Sequence, residues 1–247
     1  MCNYSEVPTR YDFEKMKTII LISIILTSCQ LKTKIDSTMT DNWNTYKGYL
    51  KDKLPVYYDR LNQPASETEI EELESLINTK LPDDFKTIYK VNNGEDESWF
   101  VGGVLCGMRM LTISQIKKEL KQLKEIEDEF NFNSKWSGDI RPEGTIKSGA
   151  YYEKWIPVFS DNNGNFIGLD LTPDLKGEYG QIINFGTDEY DHFVIAKSLA
   201  EFVGFINTQF ENGKADRAIF ENDNGEKVMF GLVEESHLTD DLREMIK

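Results

Sequence analysis

The order of the periodic segments along the chain limits its fold more than any other feature of the sequence. Apolar residues first recur at helical spacing, then occur in strand-like runs around glycine turns, and return to helical spacing towards the C-terminus. Helices followed by turn-linked strands are typical of an α+β protein, whereas a doubly wound parallel sheet needs strands and helices that alternate. We therefore expect a single α+β domain, with N-terminal helices packed on a mostly antiparallel sheet and a further helix after it.

Polar and proline residues mark the helix starts. Helices are predicted to begin at Asp41, Ser66, Pro82, Ser114 and Ser198. At Ser66 the signal is a capping box, because the serine oxygen can accept from the backbone while Glu69 reaches back. The helix after Ser66 carries an apolar stripe of Ile70, Leu73, Leu76 and Ile77. The helix after Ser114 carries a longer stripe of Ile116, Leu120, Leu123, Ile126 and Phe130.

Three strands are predicted in the centre of the chain. Trp155–Phe159, Asn165–Leu171 and Gly180–Phe185 are apolar runs, and turn residues separate them at Asn163-Gly164 and at Lys176-Gly177. The sequence therefore predicts antiparallel pairing in this region.

Composition narrows the classes of partner. The chain has 247 residues, of which 39% are apolar and 12% aromatic, so it can form a substantial core. Its formal net charge is −15 and its pI is about 4.7. This charge argues against nucleic acid as a partner, because a protein that binds its phosphates neutralises them with lysine and arginine. The acidity favours basic partners, or else serves only solubility.

The N-terminus resembles a bacterial export signal. From Met16, the expected initiator, one lysine is followed by an apolar run at 19–26 that is too short to span a bilayer. Leu26-Thr27-Ser28-Cys29 resembles the lipobox of bacterial lipoproteins, in which the cysteine is acylated. We therefore expect a lipid on Cys29 and a membrane-anchored protein on the periplasmic or cell-surface side. If the signal is not used, the segment begins the domain and the protein is cytoplasmic.

Cysteine usage fits that expectation. With Cys29 acylated and Cys2 upstream of the start, Cys106 is the remaining thiol. The mature domain then has no internal disulfide and no cysteine-rich metal site.

The sequence does not match the common motifs of catalytic sites or metal sites. The sequence contains no G-x-S-x-G, no G-x-x-x-x-G-K and no H-E-x-x-H, and its two histidines, His192 and His237, cannot make a three-histidine zinc site. The loop from Asp161 to Asn165 superficially matches a calcium loop, but Thr172 stands where the bidentate glutamate is needed. We expect a turn there, no catalytic residue, no metal and no cofactor. A hydrolase that depends on Asp170 is the weaker alternative.

Several motifs, in order, resemble the Smi/Knr-type domain of the SUKH superfamily. They are WNTYKGYL, PASETEIEELESLINTKLPDDFKTIYKVNNG, WIPVFSDNNGNFIGLDLTPDLKGEYGQII and SLAEFVGFI. The superfamily contains a fungal cell-wall assembly regulator and many bacterial immunity proteins of polymorphic toxin systems. The resemblance implies an α+β domain at 43–213 that binds proteins without catalysis. Residues 1–29 are then the signal, 30–42 a tether and 214–247 a C-terminal hairpin and helix. Residues 131–152, polar and without clear periodicity, are treated as an insertion.

This resemblance leaves two functions open. The chain is either an immunity protein that occludes a toxin, with a basic toxin domain as its partner, or an envelope protein that regulates cell-wall machinery. Acidic residues are the expected contacts in both cases. The candidates are Glu71, Glu72, Glu74, Asp170, Asp188, Glu189 and Asp191. Asp170, between Leu169 and Leu171, is expected to point away from their face. It is then either simply solvent-exposed, or it contacts a partner or holds the following turn by a hydrogen bond.

Overall fold

The fold is α+β, as expected. A computed structural model describes residues 38–97 and 102–246. Helices lie before, beside and after a six-stranded sheet, and their buried apolar side chains form one continuous core. The helices span 38–53 (α1), Pro55–Tyr58 (α2), Glu67–Ile77 (α3), Asp83–Tyr89 (α4), Ile113–Phe130 (α5), Leu199–Glu211 (α6) and Leu238–Met245 (α7).

Helix α1 begins earlier than the sequence predicts. Its apolar face buries Trp43, Tyr46 and Leu50, and Met39 continues that face one turn towards the N-terminus. The tether predicted at 30–42 is therefore wrong for residues 38–42. They belong to the helix because Met39 has a core to pack against.

The predicted helix starts are largely confirmed. The capping box at Ser66 is present, with the serine oxygen accepting from the N–H of Glu69 and the Glu69 carboxylate accepting from the N–H of Ser66. Leu76 was expected on the buried stripe but is 57% exposed. Helix α5 begins at Ile113 and not at Ser114, because Thr112 and Gln115 form its capping box.

Six strands form the main sheet in the order β1-β3-β4-β5-β6-β2. The strands are Arg109–Met110 (β1), Ile140–Arg141 (β2), Trp155–Ser160 (β3), Asn165–Asp170 (β4), Gln181–Gly186 (β5) and His192–Ala196 (β6). Only β2 and β6 run parallel within this sheet of described residues; the other neighbours are antiparallel. The three predicted strands are confirmed as β3, β4 and β5, whereas β6 was not predicted.

Both margins of the sheet are very short. Strand β1 pairs only with Phe159 and Ser160 of β3, and β2 pairs only with His192 and Phe193 of β6. The segment 131–152, treated as an insertion, therefore supplies a sheet edge. It also places Ile146 in the core.

The C-terminal residues belong to the same body. As predicted, they form a small hairpin and a helix: Phe220–Glu221 (β7) and Lys227–Val228 (β8) pair around a turn at Gly225 and are followed by α7. Met229, Leu232, Leu238 and Leu242 are buried in the common core. Residues 214–247 thus extend the core of the domain up to the last described residue.

Within the described residues no helix is both long and apolar enough to cross a membrane. The predicted signal and Cys29 lie outside the described residues, so lipidation stays a prediction.

Candidate protein-binding site

Helix α3 carries three of the predicted contact residues, and the structure separates them. Glu71 and Glu72 are exposed, and Glu72 forms an ion pair of 2.7 Å with Lys117 of α5. Glu74 is buried, accepts a hydrogen bond of 2.9 Å from the N–H of Leu81 and pairs with Lys80 at 2.6 Å. Although burial raises the pKa of Glu74, its hydrogen bonds with Lys80 and Leu81 outweigh this and hold the pKa below its usual value. Its expected exposure is wrong, because it joins α3 to the start of α4.

Asp170 is also inside the protein. Its Oδ1 accepts from the N–H of Thr172 at 2.9 Å, and its Oδ2 accepts from Nε2 of Gln181 at 2.9 Å. The predicted solvent exposure is wrong, because β4 is a central strand covered on both faces. Burial raises the pKa of Asp170, and Thr172, Gln181, Trp155 and the charge of Lys147 act in the opposite direction. Of the two roles left open, the geometry matches the hydrogen bond that holds the following turn.

The end of β5 brings the other three predicted residues together but not in one environment. Asp188 is exposed and Asp191 is half-buried. Glu189 is buried, accepts from Nδ2 of Asn184 at 2.8 Å and pairs with Arg243 at 2.6 Å. Burial raises the pKa of Glu189 while Arg243 lowers it. Glu189 therefore fixes α7 against the sheet, and its expected exposure is wrong.

Two further carboxylates, Glu95 and Asp84, are buried and hold parts of the fold together, a role that the sequence does not predict. Glu95 pairs with Arg60 at 2.9 Å, and its Oε1 accepts from the N–H groups of Val104 and Met110 at 3.0 and 2.8 Å. Burial raises the pKa of Glu95 to about 7 despite these partners. No periodicity or motif distinguishes Glu95 from an exposed acid.

Asp84 lies in the first turn of α4, where a negative charge complements the start of its own helix. In the structure it accepts from the N–H of Phe85 at 2.8 Å and also from that of Ala200, in the first turn of α6, at 3.1 Å. It therefore connects two helices that are distant in sequence.

His192 is buried between aromatic rings. Its ring lies parallel to that of Trp136, with centroids 4.9 Å apart, and Nε2 is 3.0 Å from the carbonyl oxygen of Gly149. Burial lowers the pKa of His192 to about 4, so the ring is neutral at pH 7. It therefore has a packing role.

The loop from Asp161 to Asn165 is a turn, as expected. Asp161 Oδ1 accepts from the N–H groups of Asn163 and Asn165 at 2.7 and 3.0 Å. The described residues contain no group of three or more histidine, cysteine or acidic side chains placed to hold a metal ion.

The fold that these contacts stabilise is that of a known protein family. The family model for the SMI1 / KNR4 family (SUKH-1) matches residues 64–204, from the loop before α3 into α6. The chain belongs to the SMI1/KNR4 (SUKH-1) family. The resemblance stated from the motifs is thereby confirmed at the level of the family.

Curated relatives of this SUKH-1 chain are named as regulators. It is 26% identical over 203 residues to the cell wall biosynthesis/cell cycle regulator smi1 of Schizosaccharomyces pombe. The aligned region covers 78% of this chain and 40% of that protein. It is 26% identical over 202 residues to the cell wall assembly regulator SMI1 of Saccharomyces cerevisiae, covering 69% and 40%. A glucan synthesis regulatory protein of Neurospora crassa is 22% identical over 207 residues, covering 71% and 39%.

The chain thus spans about 40% of the length of these relatives. None of these three names describes an enzyme, which agrees with the expectation of a non-catalytic domain. Of the two functions left open by the sequence, the regulatory one agrees with these names.

Proposed function

We propose that this chain is a non-catalytic binding domain that regulates assembly of the cell envelope through a protein partner. The observation that carries the proposal is the match to the SUKH-1 family, together with relatives named as cell-wall and glucan-synthesis regulators.

The environment of the acidic groups supports a binding role over a catalytic one. Both carboxylate oxygens of Asp84 and of Asp170 accept hydrogen bonds from internal donors. Glu189 accepts a hydrogen bond from Asn184 and forms an ion pair with Arg243. A catalytic acid or base instead has to reach a substrate proton. These buried groups, like the buried Glu74 and Glu95, stabilise the fold through internal partners.

The surface charge supports a basic partner. Opposite charge accelerates association and excludes wrong partners more than it adds affinity. Glu71, Glu72, Asp188 and Asp191 are the predicted contact residues that remain at the surface. We place the domain at a membrane through a lipid on Cys29, where it would lie next to envelope machinery.

Deletion and complementation test the regulatory role. Cells of the source organism that lack the gene should become hypersensitive to wall-directed stress, and the wild-type gene should restore resistance. The variant Glu71→Lys/Glu72→Lys should restore less, because it reverses two exposed charges. Glu221→Lys/Asp223→Lys reverses two exposed charges on the β7–β8 hairpin and serves as the matched control. Normal resistance in the deletion strain would contradict the proposed function.

A second candidate is toxin immunity, which the net charge of −15 favours because it would complement a basic toxin domain. Co-expression with the effector encoded next to the gene distinguishes the two. Survival that depends on this chain, without any wall-stress phenotype on deletion, would replace the regulatory proposal by immunity.

A further inference from the structure

The apolar stripe of α5 continues beyond the part of the protein that covers it. Ile113, Ile116 and Leu120 are buried against the core. Ile126 and Phe130, further along the same helix, are 44% and 46% exposed. The helical spacing of the stripe shows which face of α5 is apolar but not what packs on it. The last two turns of α5 therefore carry an apolar face towards solvent.

This face borders a groove of about 380 Å³ between α5 and one end of the sheet. Leu123, Ile126 and Phe166 provide its apolar lining, and Gly164 and Thr187, at the adjacent ends of β4 and β5, form the opposite side. The N–H of Thr187 donates to the carbonyl oxygen of Gly164 at 3.1 Å, so the opposite side is held by the sheet. The groove is therefore bordered by regular structure on both sides.

The charged residues that line the groove are all acidic. Glu119, Glu125 and Glu129 line it from α5, and no lysine or arginine is among the lining residues. Glu125 pairs with Lys121 at 3.7 Å, a long contact between exposed side chains. Burial raises the pKa of Glu119, an effect that neighbouring Lys118 opposes. Partial burial disfavours the charged form of a carboxylate, and a nearby cation favours it. A ligand that places a cation beside such a carboxylate therefore forms a favourable charge pair.

We propose that this groove docks a basic amphipathic segment of a protein partner. The inference rests on the proposed function and adds a specific groove for the basic partner, together with the apolar anchors that the partner must carry. The apolar lining requires aliphatic or aromatic anchors, and the carboxylates require lysine or arginine beside those anchors. A second copy of the chain fits less well, because each copy has a net charge of −15.

Binding of a model peptide to the full-length protein tests the chemistry. The probe is a helical peptide of about 15 residues with leucine at every third or fourth position and lysine elsewhere. Matched peptides replace every lysine by glutamate or every leucine by serine. Fluorescence anisotropy should show binding of the lysine–leucine peptide, with weakening as salt rises, and about tenfold weaker binding of both matched peptides.

Variants of the protein locate the site. Ile126→Ser should weaken binding of the lysine–leucine peptide about tenfold. Leu175→Ser is the control, because Leu175 is 98% exposed outside the groove and is the same class of side chain. Glu119→Gln/Glu129→Gln should weaken binding at low salt and reduce its salt dependence, whereas a second control, Glu221→Gln/Asp223→Asn, should change neither. Equal affinities of Ile126→Ser and wild-type protein would overturn the proposal.

Photo-crosslinking in cells tests the occupant. A photoreactive amino acid at position 126 of the full-length chain should crosslink to a partner peptide that is rich in lysine and arginine, and the same substitution at Leu175 should not. Crosslinks to a second copy, to residues 1–37 of the same chain, or to no protein would overturn the proposal. The peptide assay is independent of any wall-stress phenotype. The experiments therefore distinguish an error in the proposed docking groove from an error in the proposed regulatory function.

Discussion

Asp170→Asn should destabilise the protein although it only replaces one carboxylate oxygen by an amide NH₂ group. The carboxylate accepts from Thr172 N–H and from Gln181 Nε2, each at 2.9 Å. Gln181 cannot turn its amide to compensate, because its Oε1 accepts from the N–H of Glu178 at 3.0 Å and its Nε2 also donates to the carbonyl oxygen of Thr145 at 2.8 Å. An asparagine at 170 therefore places its own NH₂ against one donor.

The magnitude follows from the bonds that are lost. A hydrogen bond to a charged group contributes about 1.5–3 kcal/mol, and a buried donor left without an acceptor costs about 1–3 kcal/mol. Removing the buried charge recovers part of this, because burial disfavours the ionised form of Asp170. We expect the free energy of unfolding to fall by about 2 kcal/mol, which lowers the urea midpoint by about 1 M for a typical m-value.

Urea unfolding followed by tryptophan fluorescence measures this change. Asp188→Asn makes the same chemical change at an exposed residue and should cost under about 0.5 kcal/mol. Gln181→Ala should show non-additive coupling to Asp170→Asn in a double-mutant cycle. If Asp170→Asn is no less stable than Asp188→Asn, the assignment of Asp170 to the internal network is refuted.

Three more outcomes are expected. Glu95, whose pKa rises to about 7 on folding, favours the folded state as pH drops below 7. His192 contributes the opposite dependence: its pKa falls from about 6.5 to about 4 on folding, so its contribution to stability should fall as pH drops from 6.5 to 4, by up to about 3 kcal/mol. His192→Phe should flatten this dependence in urea titrations at several pH values, and His237→Phe should not; equal slopes would contradict the assignment. Arg243→Met should lower the free energy of unfolding by about 2 kcal/mol, because it leaves buried Glu189 without its cation, and Glu189→Gln should rescue part of that loss. Fatty-acid labelling of cells should mark the wild-type protein but not Cys29→Ala, and unlabelled wild-type protein would rule out the lipid anchor.

The elements that the sequence predicts are those whose signals are local. The capping box at Ser66 needs residues three apart, and β3 to β5 are apolar runs between glycine turns. Strand β2 has two residues, and its partner β6 begins about 50 residues later. No window of sequence contains that pairing, so 131–152 was interpreted as an insertion.

Exposure of charged residues was the least predictable property of the candidate site. Glu71 and Glu74 lie in one acidic run, yet the first is exposed and the second is buried beside Leu81 and Lys80. Alternation along β4 predicted an outward Asp170, but a strand with neighbours on both sides and cover on both faces has no outward position. Burial depends on tertiary neighbours, which the periodicity of one segment does not specify.

The two-residue strands at the margins of the sheet have a consequence for how the protein behaves at high concentration. Fibril growth and strand exchange need a row of unpaired backbone groups onto which another chain can add. Here β1 and β2 offer only short rows, and β3 carries Pro157, which has no N–H to donate. Two copies of the protein should therefore not pair through the edges of this sheet in concentrated solution, while the side chains around it remain available for recognition.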